Sequence, residues 1–114
     1  MCGINGSLIY NEKSLLENIN AMNNLIIHRG PDDDGVFIET NKEYSIAMGM
    51  RRLSIIDLFN GTQPMYSDDE DVIIVFNGEI YNYKILKANL ESKNIFFKTN
   101  SDTEVILKMY LEHG

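Results

Sequence analysis

The chain has 114 residues, 44% of them apolar, which is the size of one domain and enough to bury a core. Its formal charge of -7 argues against nucleic acid as a partner, because neutralising phosphates takes clustered Lys and Arg that are not seen here. A single cysteine excludes an internal disulfide framework, no apolar run approaches a membrane span and no leader precedes Cys2, so a cytoplasmic location is expected.

Ile4 to Tyr10 carries Ile4, Leu8, Ile9 and Tyr10 among small residues, which predicts a strand starting beside the chain's lone thiol. Ser14 and Glu17 form an S-x-x-E capping box. Behind it Leu15, Ile19, Met22 and Ile26 recur at helical spacing, with Leu16 and Leu25 widening the stripe, so a core-facing helix is predicted to stop near Gly30-Pro31. Residues 28 to 35 hold two glycines, a proline and three aspartates and read as a turn. Gly35 to Glu39 and Tyr44 to Met50 read as a hairpin joined by Thr40-Asn41-Lys42-Glu43, with Arg51 and Arg52 at the far end.

Leu53 to Asp57 is a short strand-like run, and residues 60 to 64 and 67 to 71 form a long polar connection. Val72 to Phe76 is uninterrupted β-branched and aromatic sequence, which predicts a strand buried on both faces and ending at Asn77-Gly78. Asn82 to Lys93 is a predicted helix with Leu86 and Leu90 on one face, and Ile95 to Lys98 a predicted return strand. Ser101 and Glu104 make a second capping box for a helix with Val105, Ile106, Met109 and Tyr110 inward and Gly114 at its end.

The chemistry starts at Cys2. If Met1 is trimmed, one residue supplies both a thiol nucleophile and, in its α-amine with a reference pKa of about 7.7 to 8.0, a base for the thiol proton. Gly3 would let the backbone come close to a substrate. The plain alternative is a lone cysteine in a frayed or incidentally buried end. Asn77 and Gly78 can aim a side-chain amide and a bare backbone N–H at one point, as an oxyanion hole requires, although Asn-Gly is equally the favoured two-residue hairpin turn. Arg52 can bind a carboxylate bidentately, and Glu79 with Asp102 can hold an ammonium, so together they would grip an α-amino acid; each charge alone reads as solvated surface. His28 could instead pair with Cys2 as in thiol peptidases. Asp32, Asp33, Asp34 and Glu79 hint at a hard cation, but no D-x-D-x-D-G loop is present and no metal site is expected.

Taken together and in order, Met1-Cys2-Gly3-Ile4, His28-Arg29-Gly30-Pro31-Asp32, Arg52-Leu53-Ser54-Ile55-Ile56-Asp57, Gly61-Thr62-Gln63-Pro64, Phe76-Asn77-Gly78-Glu79-Ile80-Tyr81-Asn82 and Ser101-Asp102-Thr103-Glu104 resemble the class II glutamine amidotransferases, in particular the amidase domain of glutamine-hydrolysing asparagine synthetases. The resemblance implies Cys2 as nucleophile, Asn77 and Gly78 as oxyanion hole, Arg52 on the glutamine carboxylate, Glu79 and Asp102 on its amino group, and backbone near Leu53 and Ile55 lining the pocket. Arg51 falls outside the motif position and reads as a surface residue.

The implied fold is α+β, the αββα sandwich of the N-terminal-nucleophile hydrolases, of which 114 residues make only the N-terminal portion. The synthetase domain of the family, with its Ser-Gly-Gly-x-Asp motif, is absent from these residues, so ATP and Mg²⁺ belong there and no cofactor is expected in this chain. The implied partners are glutamine, an ammonia-accepting synthetase domain or subunit, and, at edges left open by missing strands, a second copy. An amidase domain aminating a sugar in polysaccharide synthesis, a non-catalytic folded fragment and a Cys-His thiol hydrolase stand as alternatives.

Overall fold

Small residues alternate with larger ones along the first strand, β1 (Gly3–Tyr10), so that Gly3 is buried, Asn5, Ser7 and Ile9 are half-buried, and Ile4, Leu8 and Tyr10 are exposed on the other face. The structure, a computed structural model, describes residues 2–10, 16–53 and 61–114. The chain divides into two compact units, Met1–Asp57 and Leu58–Gly114.

In the first unit, helix α1 (Leu16–Leu25) and a 3-10 turn (Ile27–Arg29) lead into β2 (Asp33–Thr40) and β3 (Tyr44–Arg52). The sheet has the order β1-β3-β2 and is antiparallel throughout, with Gly3 opposite Arg51 and Asp33 opposite Arg52. The hairpin joining β2 to β3 is the predicted one: the Asn41 side chain accepts from the backbone of Glu43 and Tyr44, at 2.8 and 2.9 Å. One face of β3 carries Ser45, Ala47 and Gly49, all buried, and α1 lies against it. Ile19 and Ala47 are fully buried there, flanked by Ile9, Met22, Val36 and Ile38. Burying a side chain like Ile19 contributes about 1.5 to 3 kcal/mol.

Two expectations change in this unit. Strand β2 begins at Asp33 rather than Gly35, because Asp33 and Asp34 sit across the ladder from Arg52 and Arg51, where opposite charges favour pairing. Leu25 is 77% exposed and does not join the apolar stripe, since α1 ends there and the chain tightens into the 3-10 turn. The capping serine Ser14 and Leu15 lie outside the described residues, as does the run from Ser54 to Asp57.

In the second unit, β4 (Met65–Tyr66) pairs with β5 (Ile73–Ile74), and the helices α2 (Tyr83–Ser92) and α3 (Asp102–His113) follow. Part of the predicted polar connection is therefore a hairpin, closed by Ser67, whose amide donates to Val72 O at 2.8 Å and whose hydroxyl accepts from Val72 N at 3.0 Å. The expected strand over Val72 to Phe76 is corrected: among the described residues only Ile73–Ile74 pair, with β4, and both are half-buried.

Ile95 to Lys98 forms no strand. A buried carboxylate explains why: Glu104 takes the amides of Lys98 and Thr99, at 2.8 and 2.6 Å, together with the Thr99 hydroxyl at 2.6 Å. The second capping box is thus half made, with Ser101 Oγ accepting from Glu104 N at 3.2 Å while the Glu104 side chain serves the incoming chain. Helix α3 buries Val105 and Leu107, whereas Tyr110, expected inward, is 57% exposed. Gly114 ends the helix in the left-handed region, φ +85°, donating to Tyr110 O at 2.8 Å. Among the described residues no helix is long and apolar enough to cross a membrane.

Asp68 joins the hairpin of this unit to α3 by accepting from Lys98 at 2.5 Å and from Lys108 at 2.9 Å. Hydrogen bonding from Lys98 first, then Lys108, holds its carboxyl down at about 2. A folded value below the ordinary one means that the contribution is fully present above about pH 5 and is lost as the pH falls through the ordinary carboxylate range to about 2. Wild type should melt above Asp68→Asn by a margin that is steady over neutral pH, closes by about pH 2 and shrinks with added salt, as thermal scans across pH would record.

Candidate functional site

At the start of the sheet, three of the predicted residues come together within the first unit. One step beyond the Gly3–Arg51 pair, the register sets Cys2 level with Arg52, on the sheet face turned away from α1. The Leu53 amide donates to the half-buried Cys2 Sγ at 3.5 Å, which fixes where the sulfur sits. Cys2, Arg52 and Leu53 thus converge at one end of the sheet, where β3 stops. Ile55 lies outside the described residues.

The turn that follows α1 builds this end of the sheet from behind. An added Cβ on Gly30 would lie 2.5 to 2.6 Å from backbone atoms of Arg51 and Arg52, so only glycine lets the turn cross the end of β3. Just past it, Asp32 N donates to Arg52 O at 3.1 Å. Arg51 is not the surface residue expected from sequence. Its side chain is 11% exposed, with Nε donating to Asn23 O and a terminal nitrogen to Asn24 Oδ1, both at 3.2 Å, and with Asp34 3.5 Å away. Alternation forces this, because the residue beside Arg52 points to the α1 side.

Gly3 also changes meaning. It is buried, and a Cβ there would sit 3.0 Å from Ile26 Cδ1 and 3.2 Å from Arg29 Cβ, so the missing side chain makes room for the turn rather than for a substrate. His28 is exposed in the 3-10 turn.

The remaining predicted residues belong to the second unit. Asn77, Gly78 and Glu79 are exposed in the segment that links β5 to α2. A helix and not a return strand follows them, so the hairpin reading of Asn-Gly does not apply. Both ends of this segment are tied down. On one side the Gln63 side chain holds Phe76 as a partner strand would, accepting from Phe76 N at 2.6 Å and donating to Phe76 O at 3.1 Å, with its nitrogen also 3.4 Å from Thr103 Oγ1. On the other, Asp102 Oδ2 accepts from Ile80 N at 2.9 Å. Between them the Phe76 ring lies against Gly78, where a Cβ would come 2.8 Å from its Cζ.

Asp102 therefore has a duty in the fold, and a carboxylate with about four acceptor positions retains capacity for an ammonium as well. In the sequence Gln63 stands within the polar connection over residues 60 to 64 and within the Gly61-Thr62-Gln63-Pro64 stretch of the family resemblance, with no role assigned to it. The usable signal is that, among the described residues, the apolar run ending at Phe76 has only the two-residue β4 as a strand partner, so side chains must satisfy the rest of its described backbone pairing. A cavity of about 130 Å³ in this unit is lined by Asp68, Lys98, Glu104 and Lys108 among others and includes none of the predicted residues. Among the described residues no group of three or more His, Cys, Asp or Glu could hold a metal ion.

Residues 1–114 match the glutamine amidotransferase domain family, and the chain belongs to it. It is 50% identical to a provisionally named asparagine synthetase (glutamine-hydrolyzing) 2 of Methanocaldococcus jannaschii, all of this chain aligning with 24% of that protein. With asparagine synthetase (glutamine-hydrolyzing) 1 of Bacillus subtilis it shares 47% identity over 96% of this chain and 17% of that one, and with asparagine synthetase (glutamine-hydrolyzing) 2 of Arabidopsis thaliana 40% over all of this chain and 19% of the relative. The chain thus spans less than a quarter of the length of these relatives.

The crossing at Gly30 is directly testable. Gly30→Ala should lower stability by about 1 to 3 kcal/mol, the usual cost of forcing a carbon into a packed position, as a fall in the urea midpoint with an unchanged slope.

Proposed function

We propose that this chain is the glutaminase part of a glutamine-hydrolysing asparagine synthetase, acting in the cytoplasm, and that its two units contribute to the αββα sandwich of the N-terminal-nucleophile hydrolases. The observation that carries the reading is the convergence of the Cys2 sulfur, the Leu53 amide and Arg52 at one end of the sheet in a chain of this family.

In the proposed reaction, removal of Met1 frees the Cys2 amine, which takes the thiol proton as sulfur attacks the side-chain carbonyl carbon of glutamine. Negative charge gathers on the carbonyl oxygen, where the Asn77 amide and the Gly78 N–H stabilise it. The C–N bond breaks, the amine returns its proton to the departing nitrogen, and ammonia leaves behind a glutamyl thioester. Water then gives up a proton to the same amine and adds to the thioester, releasing glutamate and restoring the thiol.

Arg52 binds the α-carboxylate of glutamine, Glu79 and Asp102 its α-ammonium, and backbone near Leu53 and Ile55 lines the pocket. The proposed acceptor of the ammonia is aspartate, which the names of the relatives favour over a sugar. Its activation by ATP and Mg²⁺ is assigned to a synthetase domain or subunit, and this half-reaction uses only thiol, amine and water.

Intact mass should be that of the chain lacking Met1. A glutamine-analogue electrophile should label wild type and His28→Ala but not Cys2→Ala, and Cys2→Ala should lose glutaminase turnover by on the order of 10³-fold or more. Retention of Met1 in active protein, or turnover in Cys2→Ala, would refute the assignment.

A further inference from the structure

We infer that Gln63 is a positioning residue for the Asn77–Gly78 pair, an inference that rests on the proposed glutaminase reading. The geometry behind it lies wholly within the second unit. Among the described residues Phe76 has no strand partner: β5 ends at Ile74, two residues earlier. Its N–H and C=O, which belong to the peptide units on either side of it, are both met by the one carboxamide of Gln63, at 2.6 and 3.1 Å, a two-point grip that fixes the backbone of Phe76 in direction as well as in place. The next residue in the chain is Asn77.

The grip is transmitted to the donors in two ways. Holding the Phe76 carbonyl sets the Phe76–Asn77 peptide and so the direction in which Asn77 leaves it, and seating the Phe76 ring against Gly78 sets the Gly78 backbone, because the ring occupies the space a Cβ would fill. Gln63 is itself steadied by Thr103 Oγ1 at 3.4 Å, in the first turn of α3, next to the Asp102 whose carboxylate holds Ile80 N. Both ends of residues 77 to 79 are thereby referred to the start of one helix. Gln63 touches no reacting atom in this scheme. It acts by keeping exposed donors preorganised, and donors aimed at an oxyanion lose effect steeply with displacement, since about 1 Å of misplacement can cost on the order of 10²-fold in rate.

The test compares Gln63→Met, which keeps the volume and removes both hydrogen bonds, with Gln63→Glu, which keeps the acceptor for Phe76 N and loses the donor, in the full chain. Gln63→Met should lower kcat for glutamine hydrolysis by about 10- to 100-fold with KM changed less than threefold, because the donors act on the developing charge rather than on the bound α-amino acid group. Gln63→Glu should fall between Met and wild type. Hydrogen exchange should report faster exchange at the Phe76 amide in Gln63→Met, a readout that does not depend on turnover and separates failure of this inference from failure of the glutaminase reading. Wild-type kcat in folded Gln63→Met, or unchanged Phe76 exchange, would overturn the positioning role. A loss of melting temperature at unchanged kcat would do so as well, by reducing Gln63 to a stabilising residue.

Discussion

Helix α1 comes closest to the sheet over β3, which presents Ser45, Ala47 and Gly49 at alternate positions, and the arrangement of the first unit follows from that close approach. Small inward residues on a central strand let a helix settle deeply enough for Ile19 to be fully buried. The same approach brings the Asn23 carbonyl to Arg51 and carries the turn after the helix across the end of β3, where Gly30 meets the Arg51–Arg52 backbone. The position of Arg52, and the Leu53 amide that reaches the Cys2 sulfur, are therefore consequences of packing some distance away on the opposite sheet face.

The second unit is held by a different device. Its described strands are two residues each, too short to satisfy much backbone by ladder bonding, and side chains take over that task. Ser67 closes the hairpin, Gln63 serves Phe76, Asp102 serves Ile80, and Glu104 serves Lys98 and Thr99. Three of these four lie within reach of the first turn of α3, either on it or bonded to Thr103. A helix N-terminus rich in acceptors thus acts as the anchor for otherwise irregular chain, and the exposed Asn77-Gly78-Glu79 segment is suspended between two such ties.

What the sequence revealed follows from how far apart the interacting groups are. Strand β1, helix α1, the β2–β3 hairpin, α2 and the Gly114 stop rest on local periodicity or on turn and cap chemistry, and all were legible. The expected strands over Val72 to Phe76 and Ile95 to Lys98 were not realised as predicted, because their hydrogen-bonding partners turned out to be side chains 13 and 5 or 6 residues away. Tyr110 was placed inward by spacing alone, whereas α3 is packed through Val105 and Leu107 and leaves that position outside. For the site, motif order identified the family, and alternation would have turned Arg51 toward α1 had the strand been extended through it. No local pattern could have found its Asn23 partner, 28 residues earlier.

One polar pair sits inside the packing of α1 on the sheet. Asn5 donates to Asn23 Oδ1 at 2.6 Å, Asn23 donates onward to Gly35 O at 3.4 Å, and a Cβ on Gly49 would fall within 2.6 and 2.7 Å of the two carboxamide oxygens. Asn5 Oδ1 is buried with no hydrogen-bond partner among the described residues, so the pair is a costly way to fill the space. Apolar side chains there would tolerate a helix slid or rotated by a fraction of a turn, whereas two amides that must find each other accept a single seating. The chain gives up some cohesion at that point, and in return the crossing of the turn over the tip of the middle strand is held in one alignment.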